Sequence, residues 1–333
     1  MFDFDLVPGP VVNRILNADR TVVTDLVRQT YLHHESGESV NPDSYFLRFP
    51  DKPDARIIAL PAFLAADVQL AGIKWISSFP ANTRRDLPRA AAVLILNDFE
   101  TGYPIACMEA AQISAARTAA SAAVAADVLR PDGHEHTRTA VVGAGVIARN
   151  VCQYLHDAGC RPDSYVVHDL DERSGRSLVT HLNDALGQEA AFTGDLGTAL
   201  EADTVILTTT AATPYIHTGF KPGQVVLNLS LRDIAPEVMV RAANVLDDVE
   251  HCMKANTSPH LTERATGARD FVTGTLAEVL TGAVTVPTDR PVIFSPFGLG
   301  VLDLAVGAFV LSRARADGTS TAVPDFFAET QRW

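Results

Sequence analysis

The stretch Thr139-Ala140-Val141-Val142-Gly143-Ala144-Gly145-Val146-Ile147-Ala148-Arg149-Asn150 decides the fold, because it combines a short buried strand, a tight glycine turn and the start of a helix. This spacing is typical of a turn that binds a dinucleotide. Gly143 permits the turn, Gly145 lets the backbone approach a pyrophosphate, and the small Ala148 lets the helix pack closely on the strand. The N-terminus of that helix would stabilise the anion.

An acidic residue follows the next predicted strand, Ser164-Tyr165-Val166-Val167-His168. At this position the Asp169 carboxylate would accept hydrogen bonds from the adenosine ribose and repel a 2'-phosphate. We therefore expect NAD as the cofactor, although Arg173 and Arg176 nearby favour the phosphorylated form. The alternative is that Asp169 only caps the following helix.

Composition narrows the class of protein. The chain has 333 residues and a net charge of -13, which disfavours nucleic acid and anionic membranes as partners. It contains no apolar run of the roughly 20 residues that a membrane span needs, and the acidic start Met1-Phe2-Asp3-Phe4-Asp5 differs from a signal peptide. Four cysteines without a CxxC pair predict reduced thiols and no metal site. We expect a cytoplasmic protein.

Residues 131–299 alternate strand with helix, which predicts an α/β fold with a Rossmann-type doubly wound parallel sheet that binds NAD. In residues 1–130, a helix over about 1–35 and a series of short apolar strands predict an α+β substrate-binding and dimerisation domain. An alanine-rich helix from Met108 to Leu129 ends this domain, and Pro131-Asp132-Gly133 marks the boundary. We expect the apolar C-terminal segment 300–333 to pack back on the first domain.

Three basic residues of the first half, Arg48, Lys74 and Arg117, are embedded in apolar sequence. Buried cations need partners, and a substrate carboxylate would provide one, since arginine binds carboxylates with two parallel hydrogen bonds. The alternatives are pairing with a structural acid such as Glu109, or simple exposure.

In the second half, Asp233 follows a strand at its carboxyl end, where open α/β sheets gather their ligands. It is a candidate acid or base, and the alternative is that it caps the short helix near Pro236. The run Thr208-Thr209-Thr210 ends another strand and is expected to line the nicotinamide side of the site.

Several motifs, in order along nearly the whole chain, resemble those of the ornithine cyclodeaminase/mu-crystallin family. They are Gly72-Ile-Lys74-Trp-Ile-Ser-Ser-Phe-Pro80, Leu96-Asn97-Asp98-x-Glu100-Thr-Gly-Tyr-Pro104, Ser114-Ala-Ala-Arg117-Thr118, Gly143-Ala-Gly145-Val-Ile-Ala148, Ser230-Leu-Arg-Asp233 and Ser295-Pro-Phe-Gly298-Leu-Gly300.

The form of these motifs is most similar to the branch that makes 2,3-diaminopropionate for siderophores and peptide antibiotics. The resemblance implies oxidative cleavage of N-(2-amino-2-carboxyethyl)-L-glutamate to 2-oxoglutarate and L-2,3-diaminopropionate. By the same resemblance Arg48, Lys74 and Arg117 hold substrate carboxylate and Asp233 contacts the reacting amine. Ornithine enzymes of the family place a glutamate where this chain has Ile57-Ile58, which argues against ornithine.

The predicted catalytic residues are Lys74 and Asp233, either of which is a candidate for proton transfer. The predicted substrate-binding residues are Arg48, Lys74, Arg89, Arg117, Phe297 and Gly298. The predicted cofactor-binding residues are Gly143, Gly145, Val146, Ile147, Ala148, Asp169, Thr209, Thr210, Ser230 and Ser295. For Arg89 the alternatives are contact with cofactor phosphates or simple surface exposure.

The resemblance also implies a homodimer that forms through the sheet of the first domain, and a metabolic partner that joins O-phosphoserine to glutamate. Three other functions stay open at this point. They are ornithine cyclodeaminase activity, reduction of an imine or keto acid as in alanine-type dehydrogenases, and a crystallin-like binding protein without turnover.

Overall fold

The computed structural model describes residues 4–65, 68–130, 133 and 137–332. The chain forms two units, the first from the segments up to Arg117 and from Leu299 onward, the second from Thr118–Gly298. The division therefore falls inside a helix at Arg117 instead of after residue 130. The residues Pro131 and Asp132, where the sequence placed the boundary, lie outside the described part of the chain.

The elements alternate along the chain as follows. The strands are β1 Asp5–Val7, β2 Ser39–Val40, β3 Tyr45–Phe49, β4 Lys52–Leu64, β5 Leu70–Ser78, β6 Ala90–Asp98, β7 Pro104–Glu109, β8 Arg138–Val142, β9 Ser164–His168, β10 Ala190–Phe192, β11 Thr204–Leu207, β12 Val225–Asn228, β13 Ala243–Leu246, β14 Val272–Thr275, β15 Val292–Ser295 and β16 Thr321–Ala322. The helices are α1 Gly9–Ala18, α2 Arg20–Glu35, α3 Ala111–Leu129, α4 Val146–Asp157, α5 Glu172–Leu186, α6 Leu196–Leu200, α7 Pro236–Met239, α8 Val249–Cys252, α9 Ser258–Thr266, α10 Leu276–Thr281 and α11 Gly300–Ala316, and a 3-10 helix spans Pro80–Arg85.

The first unit contains a mainly antiparallel sheet in the order β16-β1-β7-β6-β5-β4-β2, with β3 paired to β4. Because side chains alternate along a strand, each face carries every second residue. We call the face with Leu60, Lys74 and Leu94, which lie side by side in register, the inner face. The opposite face, which carries Trp75 and Val93 in register, is the outer face.

Helix α11 crosses the inner face and packs on β4, β5 and β6. Two glycines of α11 permit the close approach. A Cβ at Gly300 would lie 3.2 Å from the Cβ of Ala62, and one at Gly307 would lie 2.2 Å from Cδ2 of Leu94. The helix therefore lies against the centre of the sheet, which brings its side chains to β5.

The second unit contains eight parallel strands in the order β10-β9-β8-β11-β12-β15-β13-β14. Strands β11, β12, β13 and β15 are buried along their whole length, as expected for a parallel sheet that is covered on both faces. The predicted fold class, a doubly wound α/β sheet with an α+β unit, is confirmed.

Two predicted elements differ in the structure. The N-terminal segment contains β1 and two helices that meet at Asp19, instead of one helix. The alanine-rich helix begins at Ala111, and Met108 belongs to β7, which the sequence analysis missed. The sequence pattern does not separate the two elements, because the apolar residues of β7 continue directly into the apolar helix α3. Among the described residues no helix is both long and apolar enough to cross a membrane.

Candidate active site

The inner face of the first unit holds a buried ion pair. The Lys74 side chain is 1% exposed, and its Nζ donates to Oδ2 of Asp303 at 2.5 Å and to Oγ of Ser114 at 3.3 Å. Lys74 lies at the middle of β5 and Asp303 in the first turn of α11, so the close packing of α11 creates this contact. A buried ammonium of this kind requires a carboxylate partner.

The same carboxylate also binds the second cation of the cluster. Nε of Arg117 lies 3.3 Å from Oδ1 of Asp303, and the Arg117 side chain is 12% exposed. Burial lowers the pKa of Lys74 to about 8, and Arg117 lowers it too, whereas Asp303 raises it. Lys74 is therefore protonated at neutral pH. Two cations thus share one carboxylate, and both are donor types that bind the carboxylate of a ligand.

Asp303 is the main residue that the sequence analysis missed. It is the only charged residue between Leu299 and Leu311, in a segment that is otherwise apolar. A single acid in an otherwise apolar helix indicates a buried ion pair, because a buried carboxylate needs a cation nearby. The sequence could not show which cation pairs with Asp303, because Lys74 and Asp303 are 229 positions apart.

The structure corrects the expected burial of Arg48. Its side chain is exposed, and the guanidinium lies over the ring of Phe46 at 5.4 Å from the centroid. It stays exposed because β3 pairs with β4 at the margin of the sheet, away from α11. The alternative of pairing with a structural acid is confirmed for Lys74 and Arg117, but that acid is Asp303. The Glu109 carboxylate instead accepts from the backbone N–H groups of Ala111 and Gln112 and caps α3.

Arg89 is half-buried instead of being an exposed surface arginine. Its Nη1 donates to Oγ of Ser78 at 2.7 Å, and burial lowers the pKa of the guanidinium. Both residues lie at the same end of the hairpin that β5 and β6 form. Among the described residues, its hydrogen-bond partner is a neutral hydroxyl, so its charge is not compensated by an acid there.

The glycine turn of the second unit joins β8 to α4 as the sequence predicts. Gly143 has φ +90, and a Cβ there would lie 2.9 Å from the carbonyl oxygen of Thr208, so only glycine fits. A Cβ at Gly145 would meet no atom within 4 Å, so there is open space over the turn. Gly145 caps α4 without a side-chain hydrogen bond, which leaves the first N–H groups of the helix available to an anion.

Asp169 follows β9 and fixes the turn. Its Oδ2 accepts from the Ala144 backbone N–H at 2.6 Å, and its Oδ1 accepts from the N–H of Asp171. The cap of α5 is Asp171 itself, whose side chain accepts from the Arg173 N–H. The alternative that Asp169 only caps this helix is therefore wrong, and the described geometry fits a dinucleotide.

Asp233 is completely buried in the second unit. Its Oδ2 accepts from Thr209 Oγ1 at 2.8 Å and from the Tyr215 hydroxyl at 2.9 Å, whereas no described residue donates to Oδ1. Burial raises the pKa of Asp233, and the nearby hydroxyls of Ser230, Thr209 and Tyr215 oppose that rise, although the Ser230 hydroxyl does not reach hydrogen-bond geometry with the carboxylate. Helix α7 has Ala235 as its cap without a side-chain bond, so the alternative of Asp233 as a cap is wrong. A buried carboxylate with a free oxygen is suited to proton transfer.

A second buried carboxylate, which the sequence analysis also missed, holds the turn after β15. Asp247 accepts from the backbone N–H of Phe297 at 2.8 Å and of Gly298 at 2.7 Å. Gly298 has φ +95, so a glycine is required there. Burial raises the pKa of Asp247. The predicted residues Phe297 and Gly298 therefore form a turn that is rigidly bound to the sheet.

The other predicted cofactor residues vary in exposure. Val146 is 55% exposed at the start of α4, and Ile147 beside it is partly buried. Thr210 is exposed and Ser230 is partly buried. Ser295 is buried, and its Oγ accepts from the Asn228 side chain, which joins β12 to β15. The described residues contain no group of three or more side chains suited to a metal ion.

The model of the ornithine cyclodeaminase/mu-crystallin family matches residues 16–318. The chain belongs to this family. It is 28% identical to the N-((2S)-2-amino-2-carboxyethyl)-L-glutamate dehydrogenase of Staphylococcus aureus, covering 91% of this chain and 93% of that one. It is 31% identical to the NAD(P)H-dependent anabolic L-arginine dehydrogenase of Pseudomonas aeruginosa, covering 90% and 94%.

Among solved structures, this member of the family is similar to an archaeal alanine dehydrogenase dimer with bound NAD. The TM-score is 0.85 at 22% identity, and the match covers 97% of this chain and 100% of that one. A likeness at this level of identity supports the fold. The recognition of the family from sequence motifs is thus confirmed.

We predict that Asp303→Asn destabilises the first unit by about 3–5 kcal/mol, because it leaves the buried Lys74 ammonium without its carboxylate partner. Chemical denaturation of the variant and the wild type measures this difference. Asp317→Asn, at the exposed C-terminal end of the same helix, is the control and should change stability by less than about 0.5 kcal/mol. Equal stability of Asp303→Asn and wild type would show that the buried pair is not required.

Proposed function

We propose that this chain is an NAD-dependent dehydrogenase that cleaves N-(2-amino-2-carboxyethyl)-L-glutamate to 2-oxoglutarate and L-2,3-diaminopropionate. The product would supply a siderophore or a peptide antibiotic. The observation that carries the proposal is a pair of sites. In one, Lys74 and Arg117 share the Asp303 carboxylate, and in the other the buried Asp233 has an oxygen, Oδ1, that accepts no hydrogen bond from a described residue. The relative from Staphylococcus aureus, whose name states this substrate, supports it.

We infer that Lys74 and Arg117 bind a carboxylate of the substrate. Asp303 keeps both cations in place and keeps Lys74 protonated at neutral pH. Arginine offers a planar pair of donors, and lysine adds a point charge, so together they orient the carboxylate beside the carbon that reacts. Orientation of this kind lowers the entropic part of the barrier.

The glycine turn of Gly143 and Gly145, the start of α4 and Asp169 would hold the cofactor. When bound, NAD accepts a hydride from the carbon that carries the amine. We propose that Asp233 takes the proton from the substrate amine, releases it to solvent, and then acts again as a base toward the water that hydrolyses the resulting imine. Thr209 and Tyr215 orient its carboxylate. The balance is one NAD and one water consumed, and one NADH and one proton released.

The inner face disfavours ornithine as the substrate. Ornithine would need an acid to pair with its distal ammonium, and the row of residues next to Lys74 on this face offers Ile58 and Ile76, which lie side by side in register. Placing an unpaired ammonium against apolar side chains costs desolvation free energy that no ion pair offsets. We therefore favour a substrate whose side chain beyond the reacting carbon carries no cation, as in the glutamate part of the conjugate.

The test is to add the synthetic glutamate–diaminopropionate conjugate and NAD to the enzyme and to follow NADH by its absorbance. We expect NADH and an equal amount of 2-oxoglutarate. Ornithine with NAD is the parallel assay and should give no proline. No NADH from the conjugate, together with proline from ornithine, would overturn the proposal.

The matched control for that assay is Asp233→Asn, which should lower kcat at least about 100-fold, because the amide cannot accept the proton. NADH binding, measured by fluorescence titration, should stay at the wild-type level. Asp184→Asn on the exposed surface of α5 should leave both values unchanged. Near-normal turnover of Asp233→Asn would exclude Asp233 as the base.

The pKa of Lys74 gives a prediction about pH. Only the protonated amine attracts a carboxylate, so kcat/KM for the conjugate should fall above about pH 8, where Lys74 loses its proton. Lys74→Arg keeps its charge and should remove this decline, although it should lower the absolute rate. NADH binding should not show the decline. A kcat/KM that instead rises through pH 8 to a plateau would mean that Lys74 accepts the proton of the reaction.

We also propose that the outer face of the first sheet binds a second copy of this chain. Its exposed side chains include Tyr45, Leu47, Trp75 at 41% and Val93 at 39%, which form an apolar surface. The archaeal alanine dehydrogenase with the same fold is a dimer.

We expect a dimer in sedimentation velocity, and we expect Trp75→Glu to shift the protein to the monomer with an unchanged circular dichroism spectrum. Val22→Glu, which places the same charge on a similarly exposed apolar position of α2, should remain dimeric. A wild-type monomer at micromolar concentration would contradict the proposal.

A further inference from the structure

A second group of basic residues lies on the inner face, further along the strands than the buried ion pair. The register places Arg56 of β4 directly opposite Ser78 of β5, and Arg48 of β3 directly opposite Arg56. Residues directly opposite each other project from the same face, with Cβ atoms about 5 Å apart. Three neighbouring strands therefore contribute side chains to one small area.

Arg89, which directly precedes the next strand, β6, extends this area. Its guanidinium donates to the Ser78 hydroxyl at 2.7 Å, so it is held beside the side chain that Arg56 faces. No described carboxylate pairs with Arg89, although it is half-buried. A partly desolvated guanidinium whose partner is a neutral hydroxyl is a favourable place for an anion.

The distance between the two basic areas can be read from the register. Ser78 follows Lys74 by four positions on β5, and Arg56 precedes Leu60 by four positions on β4. At about 3.3 Å per residue this separates the two rows by roughly 13 Å along the strands, and the long arginine side chains shorten the gap between the charges. The row between them carries Ile58 and Ile76, both partly buried. Apolar side chains therefore lie on the sheet between the two basic areas.

We propose that Arg56 and Arg89, with Arg89 held by Ser78, form a second carboxylate subsite, with the exposed Arg48 at its edge. It binds the distal carboxylate of an amino dicarboxylic acid whose first carboxylate is held by Lys74 and Arg117, while the methylene groups lie on Ile58 and Ile76. This inference rests on the proposed function and names the part of the substrate that sets specificity. It also gives a second carboxylate of the substrate its own basic residues, apart from the cluster of Lys74, Arg117 and Asp303.

The test compares two keto acids that differ only in the distal group, 2-oxoglutarate and 2-oxopentanoate. Their affinities are measured by calorimetry on the enzyme saturated with NADH, without an amine, so that no turnover is needed. We expect 2-oxoglutarate to bind at least about tenfold more tightly, because the second carboxylate gains charge-assisted hydrogen bonds. Arg56→Gln and Arg89→Gln should each reduce this ratio severalfold, and the affinity for 2-oxopentanoate should stay near wild type.

Two controls make the result specific. Arg84→Gln removes an exposed arginine of the same unit from the nearby 3-10 helix and should leave the ratio unchanged. Arg56→Lys keeps the charge but loses the paired donors, and it should retain part of the preference. Circular dichroism of each variant confirms folding.

Equal affinities of the two acids in the wild type, or an unchanged ratio in both glutamine variants, would overturn the subsite. Weakened NADH binding in these variants with an unchanged ratio would also overturn it, because the arginines would then serve cofactor phosphates. If the ratio behaves as expected but the glutamate–diaminopropionate conjugate yields no NADH, the proposed reaction is wrong and the dicarboxylate subsite stands.

Discussion

The first unit depends on one buried interaction, the ion pair between Lys74 and Asp303. Desolvation disfavours both charges, so neither residue is stable at its position without the other. The pair in turn requires α11 to lie close to the sheet, which the small residues Gly300 and Gly307 permit. Because Arg117 shares the same carboxylate, the three charged groups form a single unit in which the position of each depends on the other two.

The second unit uses buried carboxylates in a different way. Asp169 and Asp247 accept backbone N–H groups and thereby fix two turns, whereas Asp233 keeps one oxygen free of any described donor. A carboxylate that accepts backbone donors fixes the local backbone, and one with a free oxygen can exchange a proton. The same residue type thus serves two purposes, and its hydrogen-bond partners decide which.

Sequence patterns predicted the glycine turn and the low exposure of Lys74 and Arg117, because each depends on local order or on an unusual charge in apolar sequence. They failed for Arg48, which lies in an apolar stretch but is exposed on a strand at the margin of the sheet. Sequence patterns also did not indicate a role for Arg56, because its position opposite Ser78 follows from strand pairing. Pairing partners are set by the fold and are not visible in a local pattern.

The sequence by itself determined the parallel sheet, the family and the dinucleotide turn, since short-range spacing and alternation specify these features. Only the tertiary structure decided which charges meet. Lys74 and Asp303 are 229 positions apart, and the alignment of Arg48, Arg56 and Ser78 on one face follows from the register of three strands. The physical reason is that electrostatic partners are selected by distance in space, and burial, which makes those partners necessary, is a property of the packed fold.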